Sequence, residues 1–185
     1  MKGLKYLIKH FLTLLKKPKW MLYKNKVGGN VEICKGAYLT HSEIGHHSYI
    51  GMYSYLNHVK TGAYCSISGY VTIGAMEHDY ADVSSSTHLG GNGYDDRTTY
   101  IGNDVWIGAQ VVVRQGIKIG DGAVIGANSF VNKDVPPYAI TFGSPAKVYK
   151  YRFAEEKIKR IKDSKYWILP IEDALKIVDQ LRSSE

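Results

Sequence analysis

Several common protein classes are excluded by what this sequence has little of. Only two cysteines, Cys34 and Cys65, occur in 185 residues, far apart and without metal-ligand spacing. That rules out a disulfide framework and fits a reducing, cytoplasmic setting. No apolar run reaches the roughly 20 residues needed to span a bilayer. In the opening stretch MKGLKYLIKHFLTLLKKPKW, Lys9 and His10 interrupt any apolar core, so it does not read as a secretion signal. Acidic residues are scarce at both ends. The first twenty residues hold six lysines and no acid, and Lys147 to Lys165 holds eight basic residues against three acidic ones. A net charge of +7 so distributed fits solvated basic helices, an anionic co-substrate, or acidic lipid headgroups. Nucleic acid is not the expected partner, because helix-turn-helix, zinc-finger and aromatic RNA-binding signatures are all missing.

Helical periodicity is also missing between residues 30 and 140, and a different rhythm takes its place. From Ile101 the chain divides into six consecutive hexapeptides: IGNDVW, IGAQVV, VRQGIK, IGDGAV, IGANSF and VNKDVP. Their first positions are always Ile or Val, and glycine follows in four of the six. A six-residue period with one large and one small inward side chain is the pattern of a parallel β-helix, in which short strands alternate with tight corners. The same rhythm runs less regularly upstream, with leading residues Ile44, Ile50, Ile67 and Ile73 and one-residue slips near Thr40–Glu43 and Leu56–Lys60. A solenoid is expected over residues 27–140, closing at Pro136-Pro137 because proline cannot supply the inter-coil N–H.

Three regions follow. Residues 1–26 form an amphipathic basic helix whose apolar stripe (Leu4, Leu7, Ile8, Phe11, Leu12, Leu15) suits packing on the core or on a neighbouring subunit. Its second setting is a peripheral membrane contact through residues 1–20. Residues 27–140 are the solenoid, interrupted by a loop at 79–100 rich in Ser, Gly, Asp and Thr. A loop of that length inside a compact repeat is usually functional or disordered. Residues 141–185 are a closing loop and two C-terminal helices, the second starting at Pro170 with Glu172 and Asp173 in its first turn.

Four segments resemble one family. AYCSISGYVTIG, EHDYADVSSSTH, the long block from Ile101 to Val148, and KYWILP are similar to the left-handed β-helix, hexapeptide-repeat acetyltransferases. The nearest branch acetylates xenobiotics and bacterial polysaccharides. The resemblance covers residues 44–180 and excludes the N-terminal helix. It implies an all-β left-handed parallel β-helix, a homotrimer with active sites between subunits, acetyl-CoA as co-substrate, no metal, and direct transfer without an acyl-enzyme. His78 and Asp79 stand where the family commonly has His-Pro or His-Arg, and a longer insertion of the drug-acetylating branch is missing. A sugar acceptor in surface polysaccharide synthesis is therefore expected ahead of an antibiotic. N-acetylation of a nucleotide-linked amino sugar is the alternative.

Acetyl transfer from a thioester needs a base for the acceptor proton and a site that holds both substrates in line. An imidazole titrates near working pH and suits the first task. By the resemblance, His78 is the general base, at the mouth of the loop, with Glu77, Asp82 or another group orienting its ring. His88 and Asp82 are expected on the acceptor side, together with Tyr53, Tyr55, Asn57 and Trp106. Gly108, Ala109, Gly126 and Ala127 are small enough to line a groove for the pantetheine arm. Trp106 would wall the thioester, and Lys147 and Arg152 would meet the CoA phosphates. Cys65 falls on an inward position and is expected in the core. A zinc hydratase of the γ-carbonic-anhydrase type would need three converging histidines. His41 and His46 have a suggestive spacing, but no third histidine follows in a later coil.

Overall fold

The structure is a computed structural model that describes residues 24–89 and 97–183, so the expected N-terminal helix lies almost wholly outside them. The described chain winds through five coils of three short strands each. They are β1 (Lys26–Val27), β2 (Glu32–Ile33) and β3 (Tyr38–Thr40); β4 (Glu43–Ile44), β5 (Tyr49–Ile50) and β6 (Tyr55–Asn57); β7 (Val59–Thr61), β8 (Ser66–Ile67) and β9 (Thr72–Ala75); β10 (Thr99–Ile101), β11 (Trp106–Ile107) and β12 (Val112–Arg114); and β13 (Lys118–Ile119), β14 (Val124–Ile125) and β15 (Phe130–Val131). A hairpin of β16 (Ala139–Gly143) and β17 (Ala146–Tyr151) closes the spiral. Equivalent strands stack in parallel into three walls. The first runs β1-β4-β7-β10-β13, the second β2-β5-β8-β11-β14-β16-β17, and the third β3-β6-β9-β12-β15. This is the left-handed β-helix expected from the hexapeptides.

The six-residue rhythm works because each coil covers the one below it. Leading aliphatics such as Ile50, Ile67, Ile107 and Ile125 stand above one another in the second wall and are fully buried. The small inward position is often serine, and its hydroxyl completes the ladder. Ser42, Ser48 and Ser54 each accept the backbone N–H of the residue one coil on, Val59, Cys65 and Val71, at 3.1 Å. Buried polar atoms must find such partners, since an orphaned one costs about 1–3 kcal/mol.

The glycine after the leading aliphatic has a steric cause. A Cβ on Gly45 would meet the carbonyl of Gly62 and lie 2.7 Å from the nitrogen of Ala63. One on Gly108 would lie 2.6 Å from the nitrogen of Ala127. The corners turn so tightly that backbone occupies the space a side chain would take. The phase slips also have a place. They fall at the corners carrying His41 and His58, both at positive φ, whose rings stack at 4.6 Å.

The spiral does not stop at Pro136-Pro137. The ladder is intact on both sides of the pair, with Val135 N–H donating to Lys118 and Tyr138 N–H to Asp121, each at 2.8 Å. The prolines occupy a corner, where the missing N–H is not needed, and β16 continues the second wall in parallel with β14. The antiparallel return of β17 is what ends it. Beyond lie α1 (Glu155–Ser164), a single 3-10 turn at Tyr166–Ile168, and α2 (Ile171–Ser183). Glu155 and Glu156 in the first turn of α1 complement its dipole. Ile161 and Trp167 pack with Ala63 and Tyr138 in a second small core against one corner of the spiral.

Gly45→Ala is expected to destabilise the fold by roughly 1–3 kcal/mol through overpacking between coils. Gly29→Ala, where an added Cβ meets nothing within 4 Å, serves as the neutral control. Thermal unfolding of both variants checks this, and equal Tm values would contradict the stacking explanation.

Candidate active site

The long excursion leaves the third wall after β9 and rejoins the first wall at β10, where Thr99, Tyr100 and Ile101 pair with Val59, Lys60 and Thr61. Its point of departure is held from below and from above. The Asn57 amide donates to the Gly74 carbonyl at 3.0 Å. In the coil above, Arg114 grips Glu77 with two parallel bonds, Nε to Oε1 and Nη2 to Oε2, both 2.6 Å. That guanidinium holds the Glu77 carboxyl below the usual carboxylate range.

His78 follows, exposed to solvent. Its Nδ1 lies 2.7 Å from the backbone carbonyl of Ser85. A carbonyl can only accept, so Nδ1 carries a proton in this contact, and in a neutral ring Nε2 is then the nitrogen with the lone pair. The ring is thus set in the tautomer that a proton acceptor requires. Neither acid expected to orient it does so. Glu77 is bound to Arg114, and Asp82 accepts the N–H of Val83 at 2.6 Å. Asp79 accepts the N–H of Ala81 at 2.9 Å. Ser85 and Arg114 were not singled out from sequence. A backbone carbonyl has no residue signature, and an arginine in VRQGIK reads as an ordinary polar corner.

The other predicted residues are spread over the spiral. Tyr53 and Tyr70 stack at 5.4 Å on successive coils, and the Tyr53 ring covers Gly36. Tyr55 stacks on Tyr38 at 5.7 Å on the outer face of the third wall. Asn57 was expected on the acceptor side but is only 5% exposed. Its amide is used inside, on Gly74 and on His58 at 3.1 Å, so it supports the loop from beneath. His88 sits in a 3-10 turn (Thr87–Leu89), its N–H on Ser86 Oγ at 3.3 Å. Gly108 and Gly126 are small for the sake of the coils above them, the backbone of Ala127 and the Cβ of Phe142. Ala109 and Ala127 are exposed at that corner and form a small shelf beside the exposed Gln110 and Asn128.

Trp106 is 55% exposed on the second wall. It lines a groove of about 340 Å³ with Tyr64, Asp104 and Arg152. Arg152, expected to meet phosphates, donates to the Gly122 carbonyl at 2.7 Å and pairs with Asp104 at 3.3 Å. Its charge is partly committed to joining the hairpin to the spiral. Lys147 lies in β17 opposite Phe142. His41 and His46 do not converge. His41 stacks on His58, while His46 turns to His47 on another corner, with their Nδ1 atoms 2.8 Å apart. Among the described residues, no three His, Cys, Asp or Glu side chains are grouped to hold a metal.

Residues 98–133 match the bacterial transferase hexapeptide family (six repeats). These residues span β10 to β15, the most regular part of the solenoid. A chloramphenicol acetyltransferase of Morganella morganii is 55% identical over 74 residues, 40% of this chain and 35% of that protein. The galactoside O-acetyltransferase of Escherichia coli (strain K12) is 46% identical over 65 residues, 35% of this chain and 32% of that protein. The chain thus spans about a third of the length of these curated relatives. A hexapeptide-repeat acetyltransferase of Vibrio cholerae O1 biovar eltor, solved with acetyl coenzyme A, superposes with a TM-score of 0.59 at 26% identity, covering 72% of this chain and 74% of that one. The N-acyltransferase AntD from Bacillus cereus, with dTDP and 3-hydroxybutyryl-CoA, gives a TM-score of 0.64 at 23% identity, covering 76% and 78%, and shows the shared fold.

Cys65 lies where the repeat predicted, inside the spiral and 1% exposed. Burial pushes its thiol up to about 12, which leaves almost no thiolate at neutral pH. Iodoacetamide at pH 8 is expected to spare Cys65 in the native protein and to label it only after unfolding. Peptide mass spectrometry reads this directly, and rapid native labelling of Cys65 would reopen a covalent mechanism.

Proposed function

We propose that this protein is an acetyl-CoA-dependent O-acetyltransferase that transfers the acetyl group to a sugar hydroxyl, in surface polysaccharide biosynthesis. One observation carries the reading: His78 is fixed through Nδ1 by the Ser85 carbonyl, with no partner on Nε2 among the described residues, at the edge of a rigid wall. Nε2 takes the proton of the acceptor hydroxyl as its oxygen attacks the thioester carbonyl. The tetrahedral adduct collapses with loss of the CoA thiolate, which receives the proton back from the imidazolium. The products are an acetyl ester and CoA thiol. Replacing the hydroxyl by an amine gives the N-acetyl alternative with the same bookkeeping of protons. The higher identity to a chloramphenicol acetyltransferase favours an antibiotic hydroxyl as a second reading. A screen of sugars, nucleotide sugars and chloramphenicol against thiol release separates the three.

The Ala109–Ala127 shelf would take the pantetheine arm. Along the third wall, at about 3.3 Å per residue, it lies roughly 15 Å from the corner that holds Glu77. The reading includes a homotrimer, in which a neighbouring chain would bring its own shelf to His78. The outer faces of the walls support it. The first wall presents Lys26, Glu43 and Lys60 in an exposed ion-pair ladder. The third presents Tyr38, Tyr55, Val112 and Phe130, an apolar strip with little charge. Such a strip is what one subunit offers another.

His78→Ala is expected to lower kcat by about 10²–10⁴-fold, the usual worth of a general base, with acetyl-CoA binding by calorimetry retained. An active variant would remove His78 from the chemistry. Val112→Glu is expected to shift sedimentation from trimer to monomer and to abolish turnover in parallel. A fully active monomer would contradict the shared site.

A further inference from the structure

We propose that Glu77 and Arg114 are positioning residues that clasp the root of the long loop and so hold His78 in its working place. The proposal rests on His78 being the base.

The loop cannot do this alone. The bonds of its described part are local: Asp79 to Ala81, Asp82 to Val83, Ser84 to Ser86, Ser86 to His88. Tyr80, Val83 and Leu89 project into solvent. Bonds of this kind shape a loop but do not tie it to the wall. The Ser85 carbonyl that sets the His78 ring belongs to the same loop, so it fixes the ring relative to the loop only. Among the described bonds, connection to the rigid spiral comes from Glu77, one peptide unit, about 3.8 Å, before His78.

Arg114 suits the task because its own strand is paired on both sides, to β9 and to β15. A guanidinium meets a carboxylate as a planar fork that fixes direction as well as distance, which a lysine cannot reproduce. The other end of the loop returns to the same corner. The side chain of Arg97 covers Gly116, where an added Cβ would lie 3.1 Å from Arg97 Cβ and 3.2 Å from Cδ. The Gly116 N–H donates to Thr99 Oγ1 at 3.1 Å. Departure and return of the excursion are thus both registered on Arg114–Gly116.

The fork is about one-third exposed, 37% for Arg114 and 35% for Glu77, so it adds little to global stability. Its effect belongs in turnover. Misplacement of a catalytic group by about 1 Å can cost 10²-fold in rate, and Arg114→Ala is expected to lose about that much kcat. The KM for acetyl-CoA and the Tm should stay near wild type. Arg114→Lys should fall between. The exchange Glu77→Arg with Arg114→Glu should recover most of the activity that either single change loses. In ¹⁵N spectra, the His78 imidazole should keep the Nδ1-protonated tautomer in Arg114→Ala, because the Ser85 carbonyl moves with it, while its signals broaden relative to the wild type as the loop loses its fixed place. Unchanged kcat in Arg114→Ala overturns the proposal. So does a loss that the exchange does not recover, or one that follows Tm. The spectra report on the clasp even if His78→Ala proves active, which keeps failure of the clasp distinct from failure of the base assignment.

Discussion

Everything in this protein depends on how closely one coil sits on the next. Adjacent parallel strands are separated by about 4.8 Å, and at the corners that leaves no room for a Cβ on Gly45, Gly51, Gly62 or Gly108. The same closeness lets a serine hydroxyl in one coil reach the N–H of the next. It also stacks Ile50, Ile67, Ile107 and Ile125 into a column sealed from water. Burial of such a column supplies the main driving force, at about 25 cal/mol per Å² of apolar area. A wall built this way is stiff because every strand inside it is tied on two sides. Stiffness is what a site needs when its chemistry depends on distances near 3 Å.

The excursion uses that stiffness. It leaves after β9, where pairing with β12 shifts register between Val113 and Arg114 and passes over Gly74, and it returns in register, with Thr99–Ile101 beside Val59–Thr61. His41 and His58 stack at the equivalent corners of the two lower coils, so the departure caps a column of rings. Asn57 below and Arg114 above hold the strand at its point of exit. The excursion is thereby joined to a fixed support within four residues, Gly74 to Glu77.

The sequence made the spiral legible because position six residues apart is a geometric fact that survives in residue choice. Leading aliphatics, following glycines and the inward Cys65 all landed where the period put them. Even the one-residue slips marked real corners. The proline pair misled because its missing N–H was charged to a strand, whereas it falls in a corner. Around the site, legibility declined for a physical reason. The His78 ring is oriented by a backbone carbonyl seven residues on, which any residue could supply. The partner of Glu77 is 37 residues away, and only the stacking of coils brings it near. Asn57 read as a surface amide because burial at a shortened corner has no compositional mark.

The partner of His78 also bears on the chemistry proposed for it. Every carboxylate near it in sequence is engaged elsewhere: Glu77 with Arg114, Asp79 with Ala81, Asp82 with Val83. A carboxylate behind an imidazole would orient the ring and also stabilise the imidazolium with a full charge. A carbonyl dipole orients it while adding no formal charge. The contact therefore fixes the direction of the ring and leaves it without a carboxylate partner among the described residues. The inward thiol of the spiral, Cys65, offers no alternative nucleophile, because it is sealed off from solvent and held protonated by its burial.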